Sequence, residues 1–419
     1  MPEAGVIEDL GTFLARARKW IAANLEPLNG ADPFLGHARD EADQVVRAKA
    51  IQRKLWDGGF AGLCYPAEYG GQGLPPEYQQ AFSHESRGYE LPMLFNTPTL
   101  TIIMPTILDF GTEEQKQRCI PAVLRGEELW VQFLSEPTGG SDLAGALTRA
   151  TRDGDVYVLS GSKIWSSYAW RSDYAVCVCR TDWDVPKHRG LSVLMVKVHQ
   201  PGIQVRQIKQ VDGTEEFCQE FFDDVPVPAG QMLGRANDGW TVASRMLFHE
   251  RAAVSGASPY EVGPRISERR GGRGGLAVLA ELAGRREDPR VRQLLGEARV
   301  LDRVHRALVR RIGTSIQAGR LPPTAGSIPR LSSGLLGVRL ASIALEIAGD
   351  RAVAWEAGDQ FGELGVAYLA RQGGCLGGGT TEIARNIISE RVLGMPRERA
   401  EDLGVPFREV RTNAMPSRR

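Results

Sequence analysis

Apolar residues recur with two different periods along this chain, and the period changes twice. Over residues 1–128 the spacing is helical. Leu10, Phe13, Leu14, Ala17, Ile21 and Leu25 make one stripe, and Val45, Val46, Leu55 and Trp56 continue the theme up to Gly58-Gly59. Thr112 with Gln115 three residues on predicts a capping-box helix running toward Pro121 or Leu124. Between them, CYPAEYGGQGLPPE (64–77) is a loop by its glycine and proline content.

From about Trp130 the period becomes two. DVYVLSGSKIW (155–165), DYAVCVCRTD (173–182), GLSVLMVKV (190–198), GIQVRQIKQV (202–211) and EFCQEFFDDV (216–225) alternate, are rich in β-branched residues and are separated by turns. They predict a small antiparallel barrel or sandwich that ends at Val225-Pro226-Val227-Pro228, because proline cannot continue a ladder. Helical spacing returns near Gly239, over 240–258, 288–318, 329–348, 359–372 and 381–393, with Pro259 and Pro264 kinking or ending the first of these. The fold class is therefore α+β and multidomain. A helical domain spans 1–128, a β domain 129–236, a helical domain 237–398 and a periodless tail 399–419.

Composition narrows the class of protein. Fifty-one Lys+Arg balance 51 Asp+Glu, so no basic excess suits the chain to nucleic acid. No uninterrupted apolar run approaches the ~20 residues of a membrane span, and the acidic start MPEAGVIED is unlike a signal peptide. The six cysteines are scattered, and Cys177 and Cys179 read as strand residues, not a metal knuckle. A reducing, cytoplasmic setting and no resident metal are expected.

Three polar, glycine-rich stretches at the domain seams are candidate ligand loops. LSEPTGGSDL (134–143) offers the Ser135 and Ser141 hydroxyls among glycines, although a plain helix-to-strand turn has the same composition. GSKIWSSYA (161–169) presents Trp165 beside Ser166 and Ser167, an indole and hydroxyls suited to an aromatic ligand or simply to a core. GGGTTE (377–382) enters a helix whose free amides, capped by Thr380 or Thr381, suit a phosphate or an electron-rich carbonyl.

Taken in order, these stretches resemble the acyl-CoA dehydrogenase family, flavoproteins that desaturate acyl thioesters. The motifs are YPAEYGGQG (65–73), GTEEQKQRCIPAVLRGE (111–127), LSEPTGGSD (134–142), GSKIWSS (161–167), FFDDVPVP (221–228) and GGGTTEIARNIISERVLG (377–394). The resemblance implies an N-terminal helical domain, a middle antiparallel β-barrel, a C-terminal four-helix bundle and bound FAD. It assigns Leu134, Ser135, Ser141, Trp165, Ser167, Thr380 and Glu382 to the cofactor, and Ser141, Phe248, Gly378 and Gly379 to the substrate.

The sequence departs from the family pattern at the base. The commonest members carry their catalytic Glu in a Tyr-Glu-Gly-Thr motif, where this chain has Gly377-Gly378-Gly379-Thr380. A branch of the family carries it on a C-terminal-domain helix before an Arg, matching Glu250-Arg251 in MLFHERAA (246–253). As a bare pattern, Glu-Arg on a helix is a solvated face; within the resemblance, Glu250 is the base, Arg251 a substrate-pocket cation or structural partner, and His249 structural. At the adenosine end, the family's glycine loop is reduced to LEIAGDRAVA (345–354), and Arg285, Arg286 and Arg292 compete for the pyrophosphate, with Arg286 taken as the candidate. Arg270 to Gly275 reads as an inserted loop, and a shortened first helix of the C-terminal domain would widen the acyl pocket for a bulky substrate.

The function so implied is α,β-dehydrogenation of an acyl-CoA to the 2,3-enoyl-CoA. Glu250 takes the proton, flavin N5 takes the hydride, and an electron-transfer flavoprotein is the acceptor for a homotetramer or dimer. The alternatives are a non-catalytic partner subunit in a mixed oligomer and an oxygen-using oxidase of the same fold.

Overall fold

The computed structural model describes residues 7–28, 41–254, 258–263, 275–355, 361–400 and 402–410. The N-terminal part holds α1 (Leu10–Asn24), α2 (Glu41–Asp57), α3 (Pro76–Glu85), α4 (Met104–Phe110) and α5 (Glu113–Leu124). Asp9 caps α1 by accepting from Gly11 N and Thr12 N. Phe13, Ala17, Ile21 and Leu25 bury the predicted stripe, while Leu10 at the helix start is exposed. Val46 also points outward, because Val45 and Ala48 already fill the inward arc of α2. The capping box of α5 is complete, with Thr112 Oγ1 accepting from Gln115 N and Gln115 Oε1 from Thr112 N. Gln115 Nε2 then donates to Gly230 O and Met232 O at 2.9 Å, tying the helices to the end of the sheet.

The middle of the chain is one curled sheet of β1 (Trp130–Phe133), β2 (Arg149–Asp153), β3 (Val156–Ser167), β4 (Tyr174–Arg180), β5 (Leu191–Lys197), β6 (Ile203–Gln207) and β7 (Phe217–Pro228). Its order is β1-β4-β2-β3-β7-β6, with β5 on β4. The expected antiparallel pairing holds for β2–β3, β3–β7, β4–β5 and β6–β7, whereas β4 runs parallel to β1 and to the end of β2. The intervening β2 and β3 supply the long crossover that a parallel neighbour requires.

The ladder also outruns the prolines. β7 continues to Pro228, pairing Pro226 with Val158 and Pro228 with Val156. Pairing with β6 ends at Phe222, so beyond it one side of β7 is open and the N atoms of Pro226 and Pro228 face that edge. Alternation along β4 sends Val176 and Val178 into one core and Ala175, Cys177 and Cys179 into the other, so both cysteines are buried strand residues.

The C-terminal part comprises α6 (Gly239–Val254), α7 (Gly275–Leu282), α8 (Pro289–Gln317), α9 (Ser327–Ala348), α10 (Gly362–Ala370) and α11 (Thr381–Ile387). Pro259 lies in a turn beyond α6; Pro264 and Arg270–Arg273 lie outside the described residues. Leu279, Val291, Leu294, Ile343, Ile347 and Phe361 form a separate core here. One stretch, Pro323–Ala352, is long and apolar enough by length and average composition to cross a membrane, although charged residues such as Arg330, Arg339 and Glu346 interrupt it, in keeping with the expectation that no uninterrupted apolar run is that long. Within it Arg339 clasps Glu297 of α8 with two bonds of 2.6 and 2.7 Å.

The predicted tail is partly docked. Phe407 is fully buried beneath the Arg180 guanidinium and beside Trp183, and its N–H donates to Val185 O. Arg180 in turn donates to Ala144 O and Ala146 O, so the C-terminal segment braces the exit of the 134–143 loop. A single buried aromatic anchors this segment, which is why no periodicity announced it.

Candidate active site

Two of the three seam loops are welded together. Ile164 N donates to Ser135 O at 2.9 Å, and Lys163 Nζ donates to Leu134 O (2.9 Å) and to Glu136 Oε1 (2.8 Å). Glu136 also accepts from Leu147 N and Thr148 N, so its carboxylate closes the loop on itself. Burial opposes its charge, but the Lys163 charge and these bonds outweigh that and hold the carboxyl below its ordinary range. The Glu136–Lys163 pair is almost completely buried.

The β3–β7 ladder slips between Ile164 and Ser166, leaving Trp165 unpaired at φ +68°. A bulge with a left-handed residue re-aims a side chain. Here it turns the indole out of the core, 54% exposed, with Phe217 against its edge at 6.0 Å. Ser166 turns inward and donates to Glu220 Oε2 at 3.0 Å, while Ser167 stays half-buried. Burial pushes the Glu220 carboxyl up to about 8, against the pull of Ser166 and Lys163, so it is a neutral acid at pH 7.

Glu250 sits on α6. Val242, Ala243, Met246 and Ala253 are the buried stripe of this helix, packed on the sheet and the N-terminal helices. Glu250 falls four residues after Met246 and three before Ala253, on that same stripe, so the solvated-face reading of the bare pattern does not hold. Burial pushes its pKa above the ordinary carboxylate value, opposed by the Arg251 charge, the Gln132 amide, the Arg330 charge and the Gly378 N–H. Gln132, on β1 two residues before Leu134, turns a buried amide toward Glu250. His249 bonds Asp109 of α4 at 2.8 Å, as does Arg245 at 2.6 Å, and this locks α6 to the N-terminal part. Phe248 lies under Arg245.

The third loop meets Glu250 directly. Gly378 has φ +73°, and a methyl group on it would lie 3.7 Å from Glu250 Oε1 and 3.2 Å from Val254 Cγ2. The α6 carboxylate thus occupies the space beside the backbone position where the motif lacks its side chain. Gly379, φ +87°, has nothing within 4 Å of its missing Cβ. Thr380 caps α11 by accepting from Ile383 N at 3.1 Å. Glu382 is exposed and paired with Arg385, and Ser141 is exposed near the end of its loop.

The structure therefore brings together Leu134, Ser135, Trp165 and Ser167 on one side and Glu250, Gly378 and Gln132 on the other. Arg286 stands apart, exposed at the α7–α8 turn and paired with Glu281, while Arg285 is spent on Glu346 O, Ile347 O and Asp288. Gln132, Lys163, Glu220 and Arg330 escaped the motif reading. Their signal was a polar residue at an inward position of an otherwise apolar period.

A flavin suits this set. A flat ring has an exposed indole to lie against, the 134–143 loop carries the Ser135 and Ser141 hydroxyls, and Gly139 and Gly379 leave open space at their Cβ positions.

Models of the N-terminal, middle and C-terminal domains of acyl-CoA dehydrogenases match residues 8–127, 132–225 and 274–393. The chain is 34% identical to the Mycobacterium tuberculosis acyl-CoA dehydrogenase IpdE1 over 94% of its own length and 99% of the relative's. It is 26% identical to cyclohexane-1-carbonyl-CoA dehydrogenase of Syntrophus aciditrophicus, over 82% and 87% of the two chains. Among solved structures, a chain of the Tcur3481-Tcur3483 steroid ACAD superposes with a TM-score of 0.76 at 27% identity, covering 93% of this chain and 98% of that one. With all three domain models in order along one chain, and the helix–sheet–helix architecture they describe, this protein belongs to the acyl-CoA dehydrogenase family of FAD-dependent oxidoreductases.

Proposed function

We propose that the chain converts an acyl-CoA to its 2,3-enoyl-CoA with Glu250 as the base that removes the α-proton. The observation that carries this reading is the meeting of Glu250 Oε1 with the Gly378 backbone, on the buried face of α6. A carboxylate in water is far too weak for a thioester α-proton. Burial raises its basicity, and in this reading a backbone N–H of the 377–379 loop would share the negative charge that grows on the thioester carbonyl. Trp165, Ser167, Leu134, Ser135, Ser141 and Thr380 would hold the FAD. Bound FAD supplies the redox chemistry, accepting two electrons and the β-hydrogen. The residues of this chain orient the acyl group, exclude water and take the proton on a Glu250 carboxylate oxygen.

For the acyl group we propose a bulky, ring-bearing chain. Two supports are the side-chain-free loop Gly377–Gly379 and the ring-bearing compounds for which two relatives are named. Helix α9 is rich in apolar residues and only partly covered within the chain, with Leu335 exposed, which supports an oligomer as the working unit.

Anaerobic loss of the yellow flavin absorbance, measured with straight, branched and ring-bearing acyl-CoAs, tests the assignment. Wild type should bleach fastest with a ring-bearing substrate, and Glu250→Gln should slow bleaching by about 10²–10⁴-fold. Equal rates for the two proteins would remove Glu250 from the mechanism. Failure of wild type to bleach with any substrate would favour a non-catalytic subunit, and peroxide formation in air would favour an oxidase.

A further inference from the structure

Arg330 lies one turn into α9 and is only 4% exposed. Its Nη2 donates to Gly377 O at 2.6 Å. A methyl group on Gly334, the next turn of α9, would meet Arg330 Nη1 at 3.0 Å, Thr381 Cγ2 at 3.1 Å and Gly374 O at 3.2 Å, so the guanidinium is wedged between α9 and the 374–381 segment. Within that segment, a methyl group on Gly378 would lie 3.6 Å from Arg330 Nε and 3.7 Å from Glu250 Oε1. Guanidinium and carboxylate therefore flank one point of the loop, from two different helices.

A buried guanidinium is costly to desolvate and persists where its charge and its donors are both used. Here one donor fixes the carbonyl that precedes the Gly378 and Gly379 amides, and the charge favours the ionised form of a carboxyl that burial pushes the other way. We propose that Arg330 is a positioning residue for proton abstraction: it anchors the Gly377–Gly379 loop and sets its positive charge beside the Glu250 carboxylate. The proposal rests on the reading of Glu250 as the base. The groups around Glu250 are few. Arg251 comes from its own helix, Arg330 from α9 and the neutral Gln132 from β1; the Asp109 carboxylate of α4 is already engaged by His249 and Arg245. Arg251 would remain in every variant below, so a change on replacing Arg330 reports Arg330 alone.

The test is the pH profile of anaerobic flavin reduction by the FAD-loaded enzyme with its best acyl-CoA. A base must be ionised, so the rate falls on the acid side as Glu250 takes up a proton. Arg330→Gln should move that acid limb about one pH unit toward alkaline pH, giving up to roughly a tenfold loss at pH values well below the limb and none well above it. Arg330→Lys keeps the charge but not the fork on Gly377 O. It should hold the limb within about 0.3 of a pH unit and lose several-fold in kcat with KM little changed. A limb that stays in place in Arg330→Gln, or an equal loss at every pH, overturns the proposal. If Arg330→Gln does not yield folded enzyme, Arg330→Lys decides: a moved limb, or kinetics identical to wild type, overturns it. Glu250→Gln run in parallel separates the two claims. Retained activity there sinks the base assignment itself, whereas an inactive Glu250→Gln with an unmoved Arg330→Gln limb sinks only the role of Arg330.

Discussion

At the scale of single residues, the site depends on polar groups set into apolar surfaces. Glu250 shares its stripe with Met246 and Ala253, and a motif reading that ignores the stripe would leave it in water. The residue was legible only because Gly378 left the familiar position empty. Arg330 and Gln132 had no motif to announce them, since a lone charge or amide in an apolar period is also what a satisfied core looks like.

Glu220 is a second buried carboxyl with a consequence for stability. Fully buried, with its pKa pushed up to about 8 by burial, it stays protonated in the fold where the unfolded chain ionises near 4.5. Its stabilising contribution is complete below about pH 4.5 and is lost as pH rises toward 8, at up to about 1.4 kcal/mol per pH unit. Glu220→Gln cannot ionise. Thermal unfolding of the two proteins should show the variant gaining on wild type between pH 5 and pH 8, by on the order of 2–4 kcal/mol. A difference independent of pH would mean that Glu220 is ionised in the fold.

At the scale of elements, long periodic segments were the most legible. The stretch expected over 288–318 is α8 at Pro289–Gln317, with Asp288 as N-cap and Pro289 at the first position, where proline's missing N–H costs nothing. Strand β2 escaped because RATRD has one buried residue among four exposed ones and no apolar alternation to read. Helix α7 escaped because its short apolar run follows a glycine-arginine stretch that reads as loop.

The join between the 134–143 loop and β3 was legible as two motifs but not as one device. It works through the Lys163–Glu136 pair. Lys163→Met would leave the buried Glu136 carboxylate without its counter-charge, held only by the Leu147 and Thr148 N–H groups, costing about 3 kcal/mol. It should also release flavin, since Leu134 O loses its donor. Thermal unfolding and the fluorescence of freed flavin check this, and adding Glu136→Gln should recover part of the stability. Unchanged stability in Lys163→Met would show that the pair is not holding the loop.

At the scale of the molecule, three parts built on different periods converge on one seam. β1 brings Gln132 and the first loop, the β3 bulge brings Trp165, α6 crosses from the sheet with Glu250, and α9 and α11 bracket the glycine loop. The order helix, sheet, helix was readable because period two and period 3.6 are distinct signals. The convergence was not, because it is made by contacts such as Gln115 to Gly230 and Arg330 to Gly377 that join residues far apart in sequence.

The central claim is that this convergence makes Glu250 the group that moves the α-proton. The most direct measurement follows that proton alone, by exchange of the α-hydrogen of a bound acyl-CoA for deuterium in heavy water, read by mass spectrometry. Wild-type enzyme should catalyse the exchange, and Glu250→Gln, with its flavin content intact, should lose at least about a hundredfold in exchange rate. Exchange at the wild-type rate in that variant would contradict the account.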